Sequence, residues 1–243
     1  MKFYLSACAA VAFAAGSANA AFFSFASDTT DHAWVFTGNG AGVSNATNGN
    51  ADPIVLHIDD ENGLATPIQV SVSFAAQYTL SFVGSVNLPG GAVSYNYAAS
   101  GSFTFTDIVS GTTLLTTNFS NALFTARGST TAWSTTAALQ VDDSNGATVS
   151  MVWGGANLPA YGLAPGALSS SPRGFAFDLT TINTSGSIPY NGSGPGVAIN
   201  ANSKLPSQTW WSESSYSANA RVPAPGPIAL LGLGGLVLRR RRR

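Results

Sequence analysis

Near the end of the chain stands TWWSESSYSA, in which Trp210, Trp211 and Tyr216 gather around Glu213. A flat aromatic face with a polar N–H or O–H at its rim suits the stacking of a sugar ring. A carbohydrate-binding surface built on Trp210, Trp211 and Tyr216 is therefore one chemistry this sequence offers. Successive side chains on a strand turn to opposite faces, so Trp210 and Trp211 cannot both lie on one surface. One in the core and the other covering an edge is the plainer arrangement.

A catalytic set is harder to assemble. There are two histidines. His57 alternates with Leu56 and Ile58 and reads as an outward residue on a strand. His32, in DTTDHAW beside Asp28 and Asp31, offers a His–Asp pair or a metal ligand, but reads as part of a loop before a strand. The serine-nucleophile elbow, the zinc-protease helix motif, the phosphate-binding loop and the S-x-x-K motif are all absent. A glycosidase needs two carboxylates flanking one bond. Asp59, Asp107, Asp142, Asp178 and Glu213 are candidates, and nothing in their spacing pairs them. Asp59, Asp60, Glu61 and Asn62, and again Asp142 and Asp143, supply oxygen atoms of the kind calcium takes, but without the spacing of a calcium loop. The expectation is no catalytic residue, no metal and no cofactor.

The elements that would carry these side chains are strands. IQVSVSF puts Ile68, Val70, Val72 and Phe74 on one side; YTLSFVGSV does the same with Tyr78, Leu80 and Phe82, and SGSFTFTDI with Phe103 and Phe105. AWVFTG, ATVSMVW and RGFAFDL share this period of two, which marks half-buried strands. Turn clusters such as NLPGG, TGNGAG and YNGSGPG separate them, LPAYG reads as a further turn, and GVAINANSKLPSQ reads as a loop. LHIDDENG and LQVDDSNG, 83 residues apart, agree at five of eight positions. Asn-Gly supplies the positive φ of a tight hairpin, so each predicts a hairpin turn, independent or duplicated.

Charged residues make up 9% of the 243, so the surface must be built from Ser, Thr, Asn, Gln and Gly. That composition withholds the strong helix formers while Thr, Val and the aromatics favour strands. Hydrophobic residues at 45% are enough for a large core. The expected fold is all-β, an antiparallel β-sandwich or jelly-roll in one domain. With few lysines to guard strand edges, closed or covered edges are expected. Residues 21–221 hold four bases against eleven acids, a net −7. An acidic body is no nucleic-acid binder, which needs clustered basic residues.

Both ends read as addresses. MKFYLSACAAVAFAAGSANA has Lys2, an apolar run to Ala15 and then Ala18-Asn19-Ala20, the pattern of a secretory signal cleaved before Ala21. The only cysteine, Cys8, lies inside it, so the mature chain has no thiol and no disulfide. At the other end Ile228–Leu238 is an apolar run closed by Arg239, Arg240, Arg241, Arg242 and Arg243. As a helix the run is about 16 Å long, whereas a bilayer core of about 30 Å needs about 20 residues. The arginines resist crossing. Such a tail holds a chain at the membrane long enough to be processed.

This tail resembles the PEP-CTERM sorting signal of Gram-negative bacteria. The resemblance rests on Val222-Pro223-Ala224-Pro225, the Gly/Leu-rich stretch and the arginine run. Ala224 stands where the family motif has Glu. The resemblance implies processing by a membrane exosortase, transient membrane association, and display at the cell surface or in an exopolysaccharide matrix. LFTARG and TWWSESSYSA are similar to stretches in other ectodomains with such tails, and that implies no activity. The expected organisation is a signal peptide at 1–20, a β-rich domain at 21–217, a linker with the Pro-x-Pro motif at 218–227, and the apolar segment with its arginine tail at 228–243.

Overall fold

The computed structural model describes residues 20–26, 34–38, 40, 43–48, 54–60, 67–142, 146–158, 161–168, 174–184 and 196–221. All of them fall in one compact unit, Asn19–Val222. The signal segment and the sorting tail lie outside the described residues. So do His32, Asp143 and the two turns of the Asp-Asp-x-Asn-Gly repeat.

The alternating pattern becomes thirteen strands: β1 (Ala20–Ala26), β2 (Trp34–Phe36), β3 (Val43–Asn48), β4 (Ile54–Asp60), β5 (Ile68–Asn87), β6 (Val93–Asp107) and β7 (Thr113–Gly128). They continue with β8 (Ala132–Asp142), β9 (Thr148–Trp153), β10 (Gly166–Leu168), β11 (Gly174–Asn183), β12 (Val197–Ala198) and β13 (Trp210–Arg221). The strands form one antiparallel sheet, and no α-helix occurs among the described residues. The pairings run β1–β4–β5–β6–β7–β8–β11–β13 and return to β1, so the sheet closes on itself. Closure satisfies backbone groups that an edge would leave open, the remedy expected of a chain with few charges. From Leu80 onward β5 pairs only with β6 among the described residues.

Long strands make the closure by changing partners partway. β7 pairs with β9 through Ser120 and with β8 from Leu123. Between them the register against β6 shifts, and Asn121 adopts φ 54°. An extra residue there bends the strand and sharpens its twist. Gly101 lies opposite, where a Cβ would stand 2.1 Å from the Gln77 carbonyl oxygen, so only glycine lets β5 and β6 approach this closely. β13 likewise gives Trp210–Ser212 to β2 and Ser215–Arg221 to β1.

Inside is an aromatic core. Phe103 of β6 packs against Phe74, Phe119, Phe175, Phe177 and Tyr216 with ring centroids 5.0–5.8 Å apart. β6 has no ladder to β11 or β13, so these rings join opposite walls of the closed sheet. The buried hydroxyl of Tyr216 bonds with Thr117 at 3.0 Å. Trp133 donates its indole N–H to the Tyr97 oxygen at 3.0 Å, and Tyr97 donates onward to the Lys204 carbonyl. Burial pushes both phenols well above their ordinary pKa.

Three expectations need correction. The repeated Asp-Asp-x-Asn-Gly segments are not equivalent: β4 and β5 pair as a hairpin, but β9 leaves β8 and pairs with β7. The linker expected from residue 218 begins later, because β13 runs to Arg221, with Ala218 opposite Phe23 and Ala220 opposite Ala21. The stretch read as a loop before Thr209 contains β12, paired with β8, and a bridge between Ile199 and Pro206. Leu158 and Leu163 do close a turn around LPAYG, through a backbone bond of 2.6 Å.

Candidate functional site

β13 alternates without a break from Trp210 to Tyr216, so its polar residues fall on two faces. Trp210, Ser212, Ser214 and Tyr216 are buried. Trp210 stacks on Phe36 at 3.9 Å and meets Trp133 edge-on at 5.9 Å. Tyr216 stacks on Phe25 at 5.8 Å. Neither ring is open to a sugar, so the expected site cannot use Trp210 or Tyr216. Trp211 is half-buried on the outer face, with Glu213 and Ser215.

Ser215, on that outer face, joins residues of β7, β8 and β11 in lining a trough of about 650 Å³. Antiparallel registers line up its residues in rows across four strands. One row runs Thr125–Ala138–Asp178–Ser215 over β7, β8, β11 and β13. A second runs Leu123–Gln140–Ala176–Ser217, of which Leu123 and Gln140 line the trough; in a third, Thr180, which lines it, pairs with Glu213, and Arg127 and Thr136 complete the lining nearby. At about 4.8 Å between strands, four strands span about 14 Å. Ala138 is the small residue in the middle of the first row.

The two charged residues that line the trough stand on different strands, Arg127 on β7 and Asp178 on β11, while Glu213 of β13 lies outside the lining. Within the described residues neither Arg127 nor Asp178 has a side-chain hydrogen bond or ion pair. Glu213 accepts from the Thr180 hydroxyl at 3.4 Å. Beside it Thr181 adopts φ 51°, a conformation a β-branched residue rarely takes. Two local bonds hold it: the Asn183 amide donates to its carbonyl at 2.8 Å, and the Glu213 N–H donates to its hydroxyl at 3.4 Å. This bulge sets Asn183 opposite Trp211, beyond the end of the trough.

The candidate carboxylates thus sort themselves. Asp178, opposite Ser215, and Glu213, opposite Thr180, are diagonal neighbours, about 7–8 Å apart at Cα. That spacing is open to two-carboxylate chemistry; Asp178 is exposed and Glu213 half-exposed. Asp107 lies elsewhere, in the β6–β7 turn. It accepts from the Ser110 hydroxyl at 2.6 Å and the Val109 N–H at 3.0 Å, and these bonds hold its carboxyl below the ordinary range. Asp59 and His57 are half-exposed on β4, opposite Phe22 and Ser24. Among the described residues no three His, Cys, Asp or Glu side chains gather as metal ligands. The side chains of Asp60 and Asp142 lie outside the described residues.

Sequence reasoning found Asp178, Glu213 and Trp211 but missed Arg127, Thr125, Thr136, Ala138, Gln140 and Ser215. Alternation shows that each faces outward; only the register shows that they share one surface. Comparison with family models, with curated proteins and with solved structures finds no significant match for this chain. The class is set by the fold alone: an all-β protein with one closed antiparallel sheet and an outward trough lined by both polar and apolar side chains.

Proposed function

We propose that this is an exported protein, processed through its PEP-CTERM-like tail and displayed at the cell surface or in the exopolysaccharide matrix. Its role there is structural or adhesive rather than catalytic. The observation that carries the reading is the tail itself: Pro223-Ala224-Pro225, an apolar run too short to span a bilayer, and five arginines that anchor it on the cytoplasmic side. The body fits the role. A closed sheet with rings packed between opposite walls supports a β-sandwich of the jelly-roll kind, stable outside the cell without disulfides. Ala20 lies opposite Arg221, so the first and last described residues are neighbours in the sheet.

The test compares the chain with and without residues 222–243 in its own host. The full chain should lose its tail and reach the surface or matrix fraction, and the truncated chain should not be retained there. Equal, unprocessed delivery of both forms would sink the proposal.

A further inference from the structure

The geometry points to a glycan site in the trough between β7 and β13: we propose that it holds one strand of an uncharged, hydroxyl-rich polysaccharide. Charge complementarity selects this occupant. Arg127 can only donate, and the carboxylate of Asp178 can only accept. A ligand bridging the walls must offer acceptors on one side and donors on the other, and a row of sugar hydroxyls offers both. A polyanion would meet the Asp178 carboxylate on a body of net −7. A polycation would meet the Arg127 guanidinium. An uncharged polymer meets neither repulsion.

Shape agrees with charge. The volume of about 650 Å³ lies within the range of ligand sites, about 300–1,000 Å³. The floor at Ala138 is lined on either side by Thr125 and Asp178, so a ring can settle between polar groups. Leu123, 51% exposed, offers an apolar surface to the C–H face of a sugar. Trp211 lies on the same outer face of β13 as Ser215, outside the lining of the trough. From Ser215 to Trp211 is four residues, about 13 Å at about 3.3 Å each, room for a chain to continue from the hydroxyl-lined floor onto an aromatic face. This differs from a site on Trp210, Trp211 and Tyr216, since two of those rings are in the core.

The proposal deepens the adhesive reading and rests on it for its setting, but binding needs no tail processing, so the two can fail separately. The full chain, with both ends intact and in mild detergent, is run in gels containing a neutral β-glucan, a neutral galactomannan, alginate or chitosan. At least one neutral polymer should retard it more than either charged one. Ala138→Trp, which fills the floor, and Arg127→Ala should each weaken that retardation by about tenfold or more. Val152→Ala, on the exposed face of β9, should leave it unchanged. Thermal unfolding at the wild-type midpoint would show that the variants are folded; if Ala138→Trp is not, Arg127→Ala carries the test. No retardation by either neutral polymer, stronger retardation by alginate or chitosan, or wild-type retardation of folded Arg127→Ala would overturn the proposal.

Discussion

Two rows of residues, one position apart on the same four strands, have opposite fates. Phe124, Leu139, Phe177 and Tyr216 pair across β7, β8, β11 and β13 and face the core. Thr125, Ala138, Asp178 and Ser215 pair beside them and face solvent. A slip of one residue in any ladder would exchange the rows. The inner row is fixed by volume and ring geometry, the outer row only by the requirement to stay wet. The outer row is thus free to carry recognition chemistry at little cost to stability, and the inner row is not.

The sharpest way to break this contrast is to truncate neighbours. Phe177→Ala should lose about 3–5 kcal/mol, as large buried aromatics do, because its ring packs on Phe103 and Phe74 at 5.0 and 5.8 Å. Asp178→Ala, one residue on, should stay within about 0.5 kcal/mol. Urea denaturation of both variants reads the difference, and similar losses would mean the faces are not distinguished as described.

Within the core the contrast can be refined. Trp133 and Trp210 are both fully buried and pack edge to face. The indole N–H of Trp133 bonds to Tyr97, while that of Trp210 has no partner among the described residues. Trp133→Phe should therefore cost about 1 kcal/mol more than Trp210→Phe, the net worth of a buried hydrogen bond. Equal losses in a denaturant series would show that the bond contributes nothing.

The smallest expected effect lies far from both rows, in the β6–β7 turn. The Asp107 carboxyl is depressed by the Ser110 hydroxyl and the Val109 N–H. A folded-state pKa below the unfolded one gives stability that is present above the ordinary Asp value, about 3.9. That stability is lost as pH falls through the depressed value. Acid titration followed by NMR should place the Asp107 midpoint below the ordinary Asp value and show the Val109 and Ser110 amides shifting with it. In Ser110→Ala the midpoint should move up. A midpoint unchanged by that substitution would assign the depression elsewhere.

Much of the fold was legible in the sequence, because period-two alternation is a local signal: Val72 and Phe74, Tyr78 and Leu80, and Phe103 and Phe105 all face the core as expected. Partner choice was not legible. β9 pairs with β7 rather than β8, and nothing in ATVSMVW specifies that. The bends at Asn121 and Thr181 come from single residues of positive φ that local sequence does not announce. The trough depends on three registers joining residues up to 92 positions apart, Leu123 to Ser215, so of its lining only Asp178 could be named as a candidate, without its setting. In TWWSESSYSA alternation correctly separates Trp210 from Trp211, but which of the two is inside is set by Phe36 and Trp133, far away in sequence.

Mass spectrometry of the intact protein, recovered from the surface or matrix fraction of its own host, tests the central claim most directly. The expected mass corresponds to a chain that begins at Ala21 and ends before Ile228. A displayed molecule still carrying Arg239–Arg243 would contradict it.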